Sequence, residues 1–216
     1  MKLAEKIESH LLSVYSLEQE LRVRDFLISD DELIQLVPDC DLLNTPKELF
    51  LVKAKPEDDT LEIALFLNED LKSNLDKIDP LESLCAENIS DFCALIEGVS
   101  HFVYYVQKAN QNHNVSQLEL ELQAEVDKYV LLSLFLKSES RQRNQVLDML
   151  FENYFLHHNL TAEQQHRYQT ASDLARKYCF QLSQNLANMD YGTFISDARA
   201  FYSLTQAEKI QYILLG

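Results

Sequence analysis

The sequence predicts an α+β protein: a four-stranded antiparallel sheet in the order β-β-α-β-β, flanked by N-terminal helices and by a C-terminal helical part. Three observations predict it. Two short β-prone runs flank a turn-rich spacer near residue 56, a second pair flanks a polar cluster near residue 112, and helical periodicity fills the rest. An all-α chain, with 89–109 and 115–137 as helices, is the alternative. At 216 residues and 46% hydrophobic the chain can bury a substantial core, and three Gly and four Pro exclude low complexity.

In chain order, Leu3, Ile7, Leu11, Val14 and Tyr15 recur at helical spacing and predict a helix over 3–15. A second helix is expected from Leu17 to about Leu27. Ser29-Asp30-Asp31-Glu32 has the form of a capping box, in which Ser29 and Glu32 satisfy each other's orphan amides. It opens a short helix, 31–37, that Pro38 stops. The runs 48–54 and 60–67, separated by Lys55-Pro56-Glu57-Asp58-Asp59, predict a hairpin. Such a hairpin is marginal alone and calls for further strands or a helix against it. After Pro80 a helix through Ile89, Phe92, Cys93 and Ile96 is expected to end at Gly98, where a glycine relieves positive φ.

Residues 99–106, rich in β-branched and aromatic side chains, predict a third strand. The Leu118–Val126 segment alternates apolar and polar without a break and predicts a fourth. As a helix, that segment puts Glu125 inside the stripe of Leu118, Leu122, Tyr129 and Leu132, a costly place for an unpartnered carboxylate. From Val126 the period is helical again, with Tyr129, Leu132 and Leu136 on one side up to about Lys137. In the tail, Val146, Met149, Leu150 and Tyr154 mark one helix. Thr161-Ala162-Glu163-Gln164 caps another, whose stripe is Tyr168, Ala171, Leu174, Ala175, Tyr178 and Leu182. Asp190 and Thr205-Gln206-Ala207-Glu208 cap the last two. The division expected is an acidic α+β part, 1–137, with a helical part, 138–216, packed on it.

Charge follows the same division. Residues 1–137 carry 27 acids against 12 bases; residues 138–216 carry 8 against 7. With a net charge of −16, binding to phosphate backbones or anionic membranes is disfavoured, and a protein partner, basic in character, fits better. Cys40, Cys85, Cys93 and Cys179 show no Cys-x-x-Cys pair and no zinc-finger spacing, so free thiols in a reducing compartment are expected. The first residues lack an apolar leader, and the longest apolar run, 130–136, is far below the roughly 20 residues a membrane span needs. A soluble cytoplasmic protein is the expectation. No Gly-rich phosphate loop or dinucleotide fingerprint is present, and no cofactor is expected.

The residues with chemical potential are Glu97, His101, Glu119, Glu121 and Glu125. On a strand, Glu119, Glu121, Gln123 and Glu125 share the face opposite the leucines at about 7 Å intervals. The three carboxylates can bind a hard cation or work beside a base, and the neighbouring strand brings His101 or Tyr105, or else Ser100 or Tyr104, alongside. Should 89–109 form one helix instead, Glu97 and His101 share a face at i, i+4 and can ligate a metal. The metal candidates are His101, Glu121 and Glu125. The plainer account of the row is the solvated side of an amphipathic strand. His157, His158 and His166 read as surface loop residues. The Tyr178-Cys179-Phe180 triplet and the Phe201-Tyr202 pair read as core, and Arg141, Arg143, Arg167, Arg176 and Arg199 as partners for the acidic sheet. Two functions follow as expectations: an interaction or regulatory protein presenting an acidic surface, in the manner of a small inhibitor or immunity protein, or a metal-dependent or acid–base enzyme built on the Glu/His cluster.

Overall fold

A computed structural model describes residues 2–38, 40–42, 45–55, 60–136, 140–151, 160–187 and 190–215, with the side chains of 140–145 and 185–187 outside the description. The fold is mixed α+β and mostly helical. Among the described residues its helices are α1 (Lys2–Tyr15), α2 (Asp30–Leu36), α3 (Glu69–Lys77), α4 (Ile89–Asn110), α5 (Gln117–Phe135), α6 (Ser140–Phe151), α7 (Ala162–Ala187), α8 (Tyr191–Ser203) and α9 (Gln206–Leu215). One sheet has β1 (Leu27–Ile28), β2 (Glu48–Lys55) and β3 (Thr60–Leu67) in the order β1-β3-β2. The β2–β3 pairing is antiparallel, with Glu48 opposite Leu67, and β1 runs parallel to β3.

Features set by neighbours in the chain match the sequence. Ser29 Oγ accepts from the Glu32 amide while Glu32 accepts from the Ser29 amide, the reciprocal box that starts α2. Thr161 with Gln164 and Thr205 with Glu208 make the same exchange, and Asp190 caps α8 through the Thr193 amide. The first hairpin stands where expected, although Pro56, Glu57, Asp58 and Asp59 of its spacer lie outside the described residues.

Four expectations are corrected. The second hairpin is absent: 99–106 belongs to α4 and 118–126 to α5, so the described sheet has three strands rather than four. These two helices are the ones the all-α alternative required, but the sheet removes that class. The segment 17–27 holds a single 3₁₀ turn, Val23–Asp25, before β1, and no α-helix. Gly98 does not end a helix. It has no positive φ and sits within α4, which runs on to a cap where Asn112 takes φ 54° and the His113 amide reaches the Lys108 carbonyl.

Burial explains why α4 and α5 escaped a periodic reading. Val99 through Tyr104 are all buried, and so is every residue of α5 from Glu121 to Ser133. A helix covered on all sides has no polar face and so no 3.6-residue period to read. Tertiary cover also overrides the β preference of Val99, Phe102, Val103 and Tyr104. The space at residue 98 matters more than its φ. A Cβ there would stand 2.9 Å from Leu65 Cδ1 and 3.1 Å from Glu48 Oε2, so the missing side chain lets α4 press against β2 and β3. α4 and α5 pack on each other, with α1 and α3 against α4 and α7 against α5.

On one side of α5 the buried polar groups form a closed network. Asp127 accepts from Tyr15, Ser100 and Gln123, and Lys209 of α9 donates to Tyr104 and to Gln123, both at 2.7 Å. Tyr104 passes its own proton to Glu119 at 2.6 Å. Burial pushes the Asp127 carboxyl up to about 6 against its three donors. It pulls the Lys209 amine down to about 7 despite Glu119. Between that value and the ordinary 10.5, the unfolded chain holds a proton that the folded chain does not. Stability therefore rises with pH across this window, while below it both states are charged. Comparing urea unfolding of wild type and Lys209→Met, the difference shifts in favour of wild type from about pH 7 to about pH 9 and is nearly level below about pH 6. A difference independent of pH refutes the lowered amine.

Candidate functional site

The opposite side of α5 carries a second polar cluster, built from four elements. On α4, Glu97 and His101 lie at i, i+4 and so share a face. On α5, Glu121, Glu125 and Lys128 recur at the same helical spacing and point at that face. β2 contributes Glu48, its first residue, and α7 contributes Arg167 and Tyr168. Ligand atoms of Glu97, His101 and Glu121 lie within 4.8 Å of one another. His101 Nε2 is 3.5 Å from Glu121 Oε2, and its Nδ1 is 4.0 Å from Glu48 Oε2. Lys128 Nζ sits between Glu125 and Glu97, at 2.8 and 2.9 Å. Arg167 Nε approaches Glu121 Oε1 at 3.9 Å from the far side.

Four carboxylates thus face one lysine, one arginine and one histidine in a largely buried setting, with Glu48, Glu97 and Arg167 at its partly exposed edge. Burial pulls the Lys128 ammonium down, but Glu125 and Glu97 more than offset it and hold the charge. Burial likewise opposes the His101 imidazolium, yet Glu121, Glu48 and Glu97 raise it to about 9. Glu48 moves upward, first through burial and then through its neighbour Glu97. Cys93, beside the same groups, has its thiol pushed up to about 12 by burial, which makes it a poor nucleophile at neutral pH. Three buried atoms of the cluster lack a well-formed hydrogen bond: Glu48 Oε2, and His101 Nε2 and Arg167 Nε, which face Glu121 only as longer ion pairs.

The expected candidates divide between the two sides of α5. Glu97, His101, Glu121 and Glu125 fall in one cluster, but the ligand atoms that converge are those of Glu97, His101 and Glu121; Glu125, expected among the metal ligands, is not in that set and pairs with Lys128. Glu119 lies outside the cluster: it takes the Tyr104 hydroxyl in the network on the other side. The acidic strand face expected from Glu119, Glu121 and Glu125 is therefore no surface, since all three are buried in the helix. Glu125 is indeed inside, and the cost that argued against a helix is met by Lys128, one turn along. The reading from sequence missed Glu48 and Lys128 as site residues. The i, i+3 pair Glu125–Lys128 was a legible signal for Lys128, whereas nothing local marks Glu48. Of the arginines, Arg167 meets Glu121, Arg199 donates instead to the last carbonyls of α1, and the side chains of Arg141 and Arg143 lie outside the description. His166 is exposed, and His157 and His158 lie outside the described residues. Tyr178 stacks on Phe201 at 3.8 Å beside the buried Cys179, whereas Phe180, expected in the core with them, turns to the opposite side of the helix and is 60% exposed; the four cysteines are free thiols.

No helix among the described residues is long and apolar enough to cross a membrane. No family model, no curated protein and no solved structure matches the chain.

Lys128→Met removes the cation from between the buried Glu125 and the partly buried Glu97, so a loss of about 3 kcal/mol in denaturant unfolding at neutral pH is expected. Adding Glu125→Gln recovers part of it, because one uncompensated charge goes with the substitution. A loss within about 0.5 kcal/mol for Lys128→Met would mean that the pair is hydrated and contributes little.

Proposed function

We propose that the protein binds a divalent metal ion on Glu97, His101 and Glu121, between α4 and α5. The observation that carries this reading is the convergence of ligand atoms from Glu97, His101 and Glu121 to within 4.8 Å of one another, with His101 Nε2 in a side chain only 7% exposed and 3.5 Å from Glu121. The ion would take the place of the proton that His101 shares with Glu121. Ligands placed about 2.1 Å from one ion in tetrahedral array stand about 3.4 Å apart, close to that spacing. The Glu97 carboxylate, whose ligand atom lies within 4.8 Å of the other two and which Lys128 holds at 2.9 Å, would have to move inward to complete the set.

Ligand chemistry narrows the ion. One imidazole with two carboxylates suits a first-row transition ion or zinc better than calcium or magnesium, which prefer all-oxygen shells. Three protein ligands leave a coordination position for water or substrate, the pattern of reactive rather than closed structural sites. Metal-assisted chemistry at that position is the enzyme reading the geometry favours. Lys128 would hold Glu97 from behind, as Arg167 would hold Glu121, so both carboxylates would be oriented before the ion arrives.

A second reading, capture of a basic protein partner, is supported by the acid excess of residues 1–137 and by exposed carboxylates at Asp31, Glu32, Glu62, Glu69, Asp70, Asp76, Glu82 and Glu87. Such capture weakens as salt is raised, and capture indifferent to ionic strength removes its basis.

The metal reading is tested on chelator-stripped protein titrated with Zn²⁺, Co²⁺, Mn²⁺ and Mg²⁺. One equivalent of Zn²⁺ or Co²⁺ is expected to bind and raise Tm by several degrees, with little response to Mg²⁺. His101→Gln abolishes the heat of binding while far-UV circular dichroism is retained. No heat and no shift with any of the four ions defeats the proposal.

A further inference from the structure

Glu48 stands apart from the three ligands yet is built against one of them. Its Oε2 is buried, makes no hydrogen bond and lies 4.0 Å from His101 Nδ1, on the ring edge away from Glu121. Phe50, two residues on and on the same side of β2, has its ring centre 6.2 Å from that of the imidazole, so one strand flanks the ring with a carboxylate and an aromatic.

The approach of Glu48 depends on the helix opposite. Residue 98 precedes His101 by three positions on α4, and a Cβ there would meet Leu65 Cδ1 at 2.9 Å, Glu48 Oε2 at 3.1 Å and Glu48 Cβ at 3.5 Å. Any other residue would begin to fill the slot through which the carboxylate reaches the ring. A histidine that ligates a metal commonly gives its other ring N–H to a carboxylate, which sets the tautomer and the ring plane.

We propose that Glu48 is the positioning residue of the ion site: it holds the Nδ1 edge of His101 so that Nε2 is the nitrogen offered to the ion, and Gly98 is the opening that admits it. This inference rests on the metal reading above and adds to it a role for a strand residue that touches no ion. A contraction of about 1 Å brings Nδ1 and Oε2 to hydrogen-bond distance.

The test uses the full chain, ¹⁵N-labelled and loaded with Zn²⁺, with long-range ¹H–¹⁵N correlation on the imidazole. Zinc on Nε2 and a retained, exchange-protected proton on Nδ1 are expected in wild type. Glu48→Gln, close in shape but uncharged, is expected to weaken Zn²⁺ binding about 10–100-fold and to shift the Nδ1–H signal. Gly98→Ala, which leaves all three ligands intact, is expected to weaken binding in the same direction by crowding Glu48. Zinc found on Nδ1 of the wild-type ring overturns the proposal whether or not either variant folds. So does a Glu48→Gln protein with unchanged affinity and an unchanged Nδ1–H signal, and in that case the metal reading survives. A wild-type chain that takes up no Zn²⁺ defeats both.

Discussion

The structure depends on one constraint: α5 lies at the centre of the core and brings charged residues with it, so each must find an opposite charge or a donor inside the protein. Taking a carboxylate or an ammonium out of water costs several kcal/mol per ion even after relaxation, and the helix interior offers no solvent to soften this. Lys128 between Glu97 and Glu125 is the clearest solution. Because Glu97 belongs to α4 and Glu125 to α5, the same ammonium that neutralises them also fixes how the two helices face each other. Apolar packing alone is non-directional and would tolerate a slide or rotation of one helix on the other. The ion triad does not.

That fixed facing propagates outward. With α4 held against α5, its opposite side meets the sheet, and Gly98 brings the backbone near enough for Leu65 and Glu48 to pack against it. The helices of the tail then close the remaining sides. α7 places Arg167 and Tyr168 over the Glu121 end, α8 ties the end of α1 through Arg199, and α9 sends Lys209 into the network around Tyr104 and Gln123. Buried hydrophobic residues from both the acidic stretch and the helical tail belong to one continuous core cluster.

How much of this the sequence discloses depends on range. Caps and the hairpin are set within a few residues, so Ser29 with Glu32, Thr161 with Gln164 and the runs on either side of residue 56 could be read directly. The central helices could not, because the cue for a helix is a polar face and α5 has none. Its Leu–Glu alternation, ordinarily the mark of a strand, distributes glutamates to two separate interior networks. A lone buried Glu125 would indeed be costly in a helix, but Lys128, three residues along, pairs with it and offsets that cost. Neighbour relations fared better than secondary structure. Segments 99–106 and 118–126 were expected side by side, and they are, as helices that bring His101 to Glu121 and Tyr104 to Glu119. Glu48 is the opposite case: its place beside His101 follows from the approach of β2 to α4 at Gly98, a long-range fact with no local signature.

The two faces of α5 also separate scaffold from site. Around Asp127 and Lys209, hydrogen bonds of 2.5–2.7 Å link tyrosine, serine, glutamine, lysine and carboxylate partners. A buried polar network satisfied to this degree specifies one packing and asks for nothing further. Around His101 the side chains are somewhat less deeply placed, and ring nitrogen, carboxylate oxygen and guanidinium nitrogen converge at 3.5–4.0 Å as ion pairs rather than short hydrogen bonds. Folding carries the desolvation cost of these groups and leaves part of their bonding capacity unused. The proposed ion would draw on that remainder, which is not confined to the cluster, since Tyr202 Oη, on a ring packed against Tyr15 and Tyr104, also makes no hydrogen bond.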